Sequence, residues 1–122
     1  MSADRQHLHL VPNRFTVGHL PHATFPEDDE WIALVRAPEG LTVVREASPY
    51  GDAQRWVGFY GDPGDGLDVP GVLAAITGPL AGAGVPVFVA STYHADLVLV
   101  PEHSQKSAAD ALRAAGHRVD DA

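Results

Sequence analysis

The order of elements between residues 55 and 119 limits this chain more than any single motif does. An aromatic and β-branched run, RWVGFY (55–60), reads as a strand. A glycine- and proline-rich loop follows, then VLAAITGPLAGAG (72–84), where Val72, Leu73, Ile76 and Leu80 recur at helical spacing and Gly84 is a natural stop. Pro79 inside that run predicts a kink or one weakened turn. VPVFVAS (85–91) and LVLVP (97–101) read as strands. Their short link, STYHAD, predicts antiparallel neighbours. Ser104 is placed to cap QKSAADALRAAG, whose buried stripe is Ala108, Ala111, Leu112 and Ala115, and Gly116 closes it. His117 to Val119 forms a last short strand. The order is β-α-β-β-α-β, the ferredoxin-like split βαβ arrangement of an α+β fold.

The first 50 residues are different in kind. HLHLV (7–11), RFTVGHL (14–20), WIALVR (31–36) and LTVVR (41–45) read as four strands with little helix, and the Pro12-Asn13 pair predicts a turn between the first two. Leu8 and Leu10 share one face of the first strand; His7, His9 and Val11 share the other. APEG joins the third and fourth strands as a hairpin. PHATFPEDDE (21–30) reads as a loop, and the turn-rich EASPYGDAQ (46–54) is the best internal boundary. The expected division is therefore a strand-rich unit, 1–50, and a complete βαββαβ unit, 51–122.

Composition excludes several functions. Eight Lys and Arg stand against 16 Asp and Glu, a formal net charge of −8, in a chain of 122 residues. Such a balance argues against nucleic acid and against an anionic membrane surface, both of which are gripped by cations. With no cysteine, disulfides, thiolate zinc sites and a cysteine nucleophile are excluded. No apolar run reaches the roughly 18 residues of a membrane span, and the polar start does not read as a signal peptide. The expectation is a cytoplasmic protein.

Catalytic and metal motifs are thin. Ser91, His94 and Asp96 are close in sequence, but strand-turn spacing does not build a triad with an oriented base and an oxyanion hole. No enzyme is expected. GDPGDGLD (61–68) lacks the alternating acids and closing glutamate of a calcium loop and the lysine of a phosphate loop, so it reads as a solvated turn. Among seven histidines, His7 and His9 lie at i, i+2, and His19 on a paired strand could join them around zinc or nickel. Surface or edge-strand histidines are the ordinary outcome of such a pattern. No metal or cofactor is expected; His103 and His117, beside helix ends, look structural.

The stretch GVLAAITGPLAGAGVPVFVASTYHADLVLVPE (71–102) resembles an ACT domain. It is similar to those of the cytosolic arginine sensors of animal TOR signalling and of small bacterial relatives. STYHAD carries the most specific part of the likeness; RAPEGLTVV and RFTVGHL in the first half extend it over residues 7 to 119. The resemblance implies a tandem of two ACT-like units, the first degenerate. It also implies a non-catalytic module that senses an amino acid and pairs as a homodimer. An exposed sheet edge and small size favour such assembly. The alternative is a ligand-free protein–protein interaction module of the same fold; a small metal protein or enzyme ranks below both.

The resemblance places effector contacts at Gly66, Gly71, Val72, Thr92, Tyr93 and Asp96, with Pro86 and Val87 contributed by the paired unit. Physical chemistry gives these positions a rationale. Gly71 opens a helix whose first N–H groups and dipole suit a carboxylate. Gly66, Leu67, Asp68 and Val69 precede it, and glycine there permits close backbone approach. Asp96 can accept charge-assisted hydrogen bonds from an ammonium or guanidinium group. Thr92 and Tyr93 flank it with hydroxyls, and Tyr93 adds an aromatic face. Each has a plainer reading: a turn aspartate for Asp96, a helix-start glycine for Gly71, rim packing for Tyr93. Two positions depart from the arginine sensors. Pro86 replaces a hydroxyl residue and Val69 replaces an acid, which leaves a smaller or less polar amino acid open.

Overall fold

The structure, a computed structural model, describes residues 5–21, 25–26, 30–62 and 70–121. Its strands are β1 (His7–Leu20), β2 (Trp31–Ala37), β3 (Gly40–Glu46), β4 (Trp56–Gly61), β5 (Phe88–Val89), β6 (Leu97–Pro101) and β7 (Arg118–Asp120). Two helices, α1 (Ala74–Gly82) and α2 (Gln105–Ala114), interrupt them. All seven strands join one sheet in the order β2-β3-β1-β4-β6-β5, with β7 pairing β1. The mixed α/β architecture agrees with a ferredoxin-like reading of the second half.

Alternation along the strands builds two apolar layers. Leu8 and Leu10 of β1, Val57 and Phe59 of β4, Val98 and Val100 of β6 and Val119 of β7 project to one face. There they meet Ile76 and Leu80 of α1 and Ala108, Ala109 and Leu112 of α2. Phe15, Val44, Leu97 and Leu99 project the other way and are joined by Val11, Val17, Ala33, Trp56 and Tyr60. The helices thus cover one face of the sheet, and the strand-rich first half thickens the other. A strand buried on both faces reads as a continuous apolar run, as LVLVP does.

Three expectations are corrected. Residues 7–20 form a single 14-residue strand rather than two strands parted by a turn. The register against β4 instead shifts between Leu10 and Arg14. Pro12 has no N–H to give a ladder, and an irregularity is where a strand tolerates it. The shift amounts to two residues, so odd and even positions keep their faces on either side of it. Next, β5 holds only Phe88 and Val89; Val85, Pro86 and Val87 lie outside the ladder. Finally, Ser104 stands at the start of α2 without a capping hydrogen bond, because a 3-10 turn (Glu102–Ser104) leads into the helix.

The last strand reaches across the chain. β7 pairs in parallel with the start of β1, Leu8 opposite Val119, so β1 runs between β7 and β4. The first half therefore supplies a strand inside the sheet that carries both helices.

Candidate functional site

The end of the sheet where β4 stops holds the 91–96 hairpin, with Thr92 and Asp96. The Gly61 N–H donates to the Asp96 carbonyl at 3.2 Å, which ties the 91–96 hairpin to the last residue of β4. The Thr92 N–H closes the hairpin on the Ala95 carbonyl at 2.7 Å. The Thr92 hydroxyl is committed to the same turn. It donates to the Ala95 carbonyl, accepts from the Ala95 N–H at 3.1 Å and meets the Tyr60 hydroxyl at 2.9 Å. The Ser91 hydroxyl donates to Asp96 Oδ1 at 2.6 Å. That bond leaves Oδ2 without a partner among the described residues. Leu97 faces the second apolar layer, so alternation directs half-buried Asp96 toward the helix side.

α1 begins on that same side. Gly71, at φ +86°, turns the chain into the helix, a conformation glycine adopts at little cost. The Ala75 N–H returns to the Gly71 carbonyl at 3.1 Å. Among the described residues no side chain caps the helix, and its first turn holds no acid, so its positive end meets no counter-charge there.

A buried histidine fixes this helix start. The Gln6 N–H donates to His117 Nδ1 at 3.0 Å, and His117 Nε2 meets the Ala75 carbonyl at 2.8 Å. A backbone N–H can only donate and a carbonyl can only accept. The ring is therefore the neutral tautomer with its proton on Nε2. The Gln6 side-chain amide adds a bond to the Val72 carbonyl at 2.8 Å. β1, α1 and β7 are thus held together at one point, and His117 has the structural role expected of it. His117→Ala is expected to cost about 2–4 kcal/mol, since it leaves a buried donor and acceptor unpaired and opens a cavity. Urea unfolding at constant m-value measures this; a loss below about 0.5 kcal/mol would contradict the role.

The remaining expected residues are placed unevenly. Val72 is half-buried beside Gly71, and Thr92 is exposed. Tyr93 is 72% exposed, with its ring edge-on to His94 at 4.9 Å. Exposed Pro86 and half-buried Val87 follow the far end of α1. Gly71 precedes the other end of that helix, which is about 14 Å long. Gly66 lies outside the described residues, as do Asp68 and Val69.

The opposite face at this end carries a polar cluster of another kind. Asp62 follows Gly61 on the face of Trp56 and Tyr60, where odd-numbered His7 and His9 also project. His9 Nε2 lies 2.6 Å from Asp62 Oδ1 and His7 Nδ1 lies 3.1 Å from Asp62 Oδ2. His7 Nε2 lies 2.6 Å from Asp120 Oδ2. The His9 hydrogen bond holds the Asp62 carboxyl below its ordinary pKa, outweighing desolvation. The His7 hydrogen bond does the same for Asp120, with help from Arg118. His19 stands apart, opposite Thr42 near the other end of β1. The acids of this cluster escaped sequence reasoning. The alternation that links Tyr60 to Asp62 was a usable signal; the approach of Asp120 was not. A separate open cleft of about 660 Å³, lined in part by Thr16, Arg45, Glu46 and Arg55, includes none of the expected ligand residues.

The ACT-domain family model matches residues 54–114, and the chain belongs to that family. ACT domains are regulatory modules that generally bind amino acids; they are not catalytic. The fold also matches protein Atu0741 from Agobacterium tumefaciens. The TM-score is 0.81 at 23% identity, covering 97% of this chain and 94% of that one. A Vibrio cholerae protein of unknown function, described as a possible transport protein, matches with a TM-score of 0.72 at 24% identity. That match covers 86% of this chain and 85% of the other. At these identities the likeness is one of fold. No helix among the described residues is long and apolar enough to cross a membrane.

Proposed function

We propose that this chain is a non-catalytic amino-acid sensor, in which the start of α1 takes the effector's carboxylate and Asp96 takes its ammonium. The observation that carries the reading is the bond between Gly61 and Asp96. It anchors an acid with one open carboxylate oxygen at the end of β4, on the side of the sheet where an uncapped helix begins. Opposite charges at the two ends of such a site match a zwitterion. In this reading Gly66, Gly71 and Val72 line the carboxylate end, Thr92 frames the hairpin and Tyr93 offers its ring to the effector's side chain. Pro86 and Val87 come from a second copy in a cytoplasmic homodimer, consistent with their place beyond the end of α1 opposite Gly71. The chain is then a tandem of a degenerate unit, 1–50, and a second unit, 51–122, resembling the arginine sensors. Pro86 and Val69 favour an effector smaller or less polar than arginine. Effector binding biases assembly or a partner only as far as it prefers one state.

A thermal-shift screen against the twenty amino acids tests the reading. A true effector at a hundredfold excess over Kd adds about 2.7 kcal/mol. That is on the order of 10 °C in Tm for a domain of this size. Asp96→Ala removes a charge-assisted contact worth about 1.5–3 kcal/mol and so weakens binding roughly 10–100-fold, with the fold intact. An equal rise in Tm for the variant would remove Asp96 from the site. Silence across the whole screen would favour the ligand-free interaction module.

A further inference from the structure

We propose that His7, His9 and Asp62 form a binding site for a divalent transition metal ion of the zinc class, with Asp120 positioning His7 from behind. The site is separate from the proposed effector site. It lies on the face of the sheet opposite the helices, and neither proposal rests on the other.

Proton counting makes the case. Three nitrogen–oxygen contacts, of 2.6, 3.1 and 2.6 Å, link the two imidazoles to the two carboxylates. An ionised carboxylate only accepts, so each contact needs an N–H. A neutral imidazole has one N–H, yet His7 faces a carboxylate from both ring nitrogens. With its proton on Nε2, donated to Asp120, the Nδ1 lone pair is left pointing at Asp62 Oδ2. Two lone pairs 3.1 Å apart call for a cation between them: either a second proton on His7 or a metal ion that His9 holds as well. Arg118, 3.3 Å from Asp120 Oδ1, offsets one of the two carboxylates, and a cation held between the histidines would offset Asp62.

The ligand set matches such an ion. His7, His9 and Asp62 each present a ligand atom, all within 4.8 Å of one another. Around a zinc-sized ion, ligand atoms at about 2.0–2.2 Å from the metal lie roughly 3.3 Å apart. The two contacts to Asp62 need to open by under about 1 Å to reach that spacing, and the widest pair of ligand atoms, within 4.8 Å, to close by at most about 1.5 Å. Two imidazoles and one carboxylate favour zinc and its borderline neighbours over calcium or magnesium, which take oxygen. Asp120 completes the arrangement, because a metal-bound histidine commonly gives its other N–H to a carboxylate that fixes the ring. Strand geometry prepares the site before any ion arrives. His7 and His9 sit two residues apart on one strand face, their rings 4.1 Å apart. The paired strands β4 and β7 bring Asp62 and Asp120 alongside. The half-exposed cluster leaves room for water as a fourth ligand.

The test is a titration of tag-free, chelator-treated full chain with zinc chloride, followed by calorimetry and thermal shift. The expected result is one ion per chain and a rise in Tm. Cobalt in place of zinc should give the strong visible absorption of a four-coordinate site. His9→Gln and Asp62→Asn should each weaken binding more than tenfold. Asp120→Asn should weaken it about 10–100-fold while keeping one ion per chain, as a positioning residue does. His19→Ala and His94→Ala should bind as wild type does. Circular dichroism of every variant separates a lost ligand from a lost fold. No saturable binding by the folded wild type, or binding that survives His9→Gln and Asp62→Asn unchanged, would overturn the assignment.

Discussion

Truncating Phe59 to alanine is expected to destabilise the protein by about 3–5 kcal/mol, the largest effect of any single side chain considered. Phe59 is 1% exposed and lies at the centre of β4, opposite Leu10 of β1 and Val98 of β6. Its ring belongs to the layer that Ile76 and Leu80 of α1 and Leu112 of α2 cover. Removing it takes away transfer free energy and leaves a cavity that two paired strands cannot collapse into. A domain of this kind has only about 5–15 kcal/mol in total, so the variant stands near the threshold of folding. Phe59→Leu keeps most of the volume and should cost about 1–1.5 kcal/mol. Urea midpoints should rank wild type, then leucine, then alanine. An alanine variant within about 1 kcal/mol of wild type would mean that the layer under the helices is not the main core.

Gly40→Ala is expected to be nearly as damaging, for a reason that has nothing to do with burial of apolar surface. Pro38 and Glu39 turn the chain between β2 and β3, and Gly40 leaves the turn at φ +140°. Only glycine occupies that region cheaply, and a side chain there costs about 1–3 kcal/mol in backbone strain. A Cβ at this position would also stand 2.4 Å from the Leu20 carbonyl oxygen and 2.8 Å from the His19 ring. The carbonyl belongs to the backbone of β1 and cannot rotate away. Relieving the clash means moving the pairing of β1 with β3, which adds roughly 1–3 kcal/mol. Denaturant unfolding checks the sum. A variant within about 0.5 kcal/mol of wild type would show that the hairpin relaxes into another turn without loss.

These two positions show where sequence reading succeeds and where it stops. The strand that carries Phe59 was readable, because RWVGFY is rich in the β-branched and aromatic residues that make strands. LVLVP was readable to the residue, because a doubly buried strand leaves an unbroken apolar run. The hairpin of β2 with β3 followed from the short turn alone. Gly40's strain could not be read, since it arises from contact with Leu20, twenty positions earlier in the chain. Pro12 misled in the opposite direction. It looked like a stop, yet an irregularity in a long strand absorbs it when the partner strand shifts by two residues. The parallel pairing of β7 with β1 was also illegible, because local pattern does not encode which distant edge a three-residue strand meets.

The candidate site divides in the same way. Gly71 and the 91–96 hairpin stood out through the likeness to ACT domains, for which a helix-start glycine and a turn acid supply the physical rationale. The structure adds what spacing could not: the Ser91 hydroxyl on one oxygen of Asp96, and the bond that fixes the hairpin to the end of β4. The Thr92 hydroxyl, expected beside Asp96, also bonds within the turn, to the Ala95 carbonyl and N–H. His117 could be recognised as structural from its place after a helix, but not as the residue that secures the start of α1. His7 and His9 were visible as a pair. Their acids come from the ends of two other strands and became visible only with the pairing.

The central claim is that one site holds both ends of an amino acid. Calorimetric titration of the effector found by the screen, alongside its N-acetyl and carboxamide derivatives, tests this most directly in wild type and Asp96→Ala. Blocking either end should weaken binding to wild type at least tenfold. N-acetylation should cost the variant little further, because the ammonium's partner is already gone. Derivatives that bind wild type as well as the free amino acid does, or an N-acetyl penalty of equal size in both proteins, would contradict it.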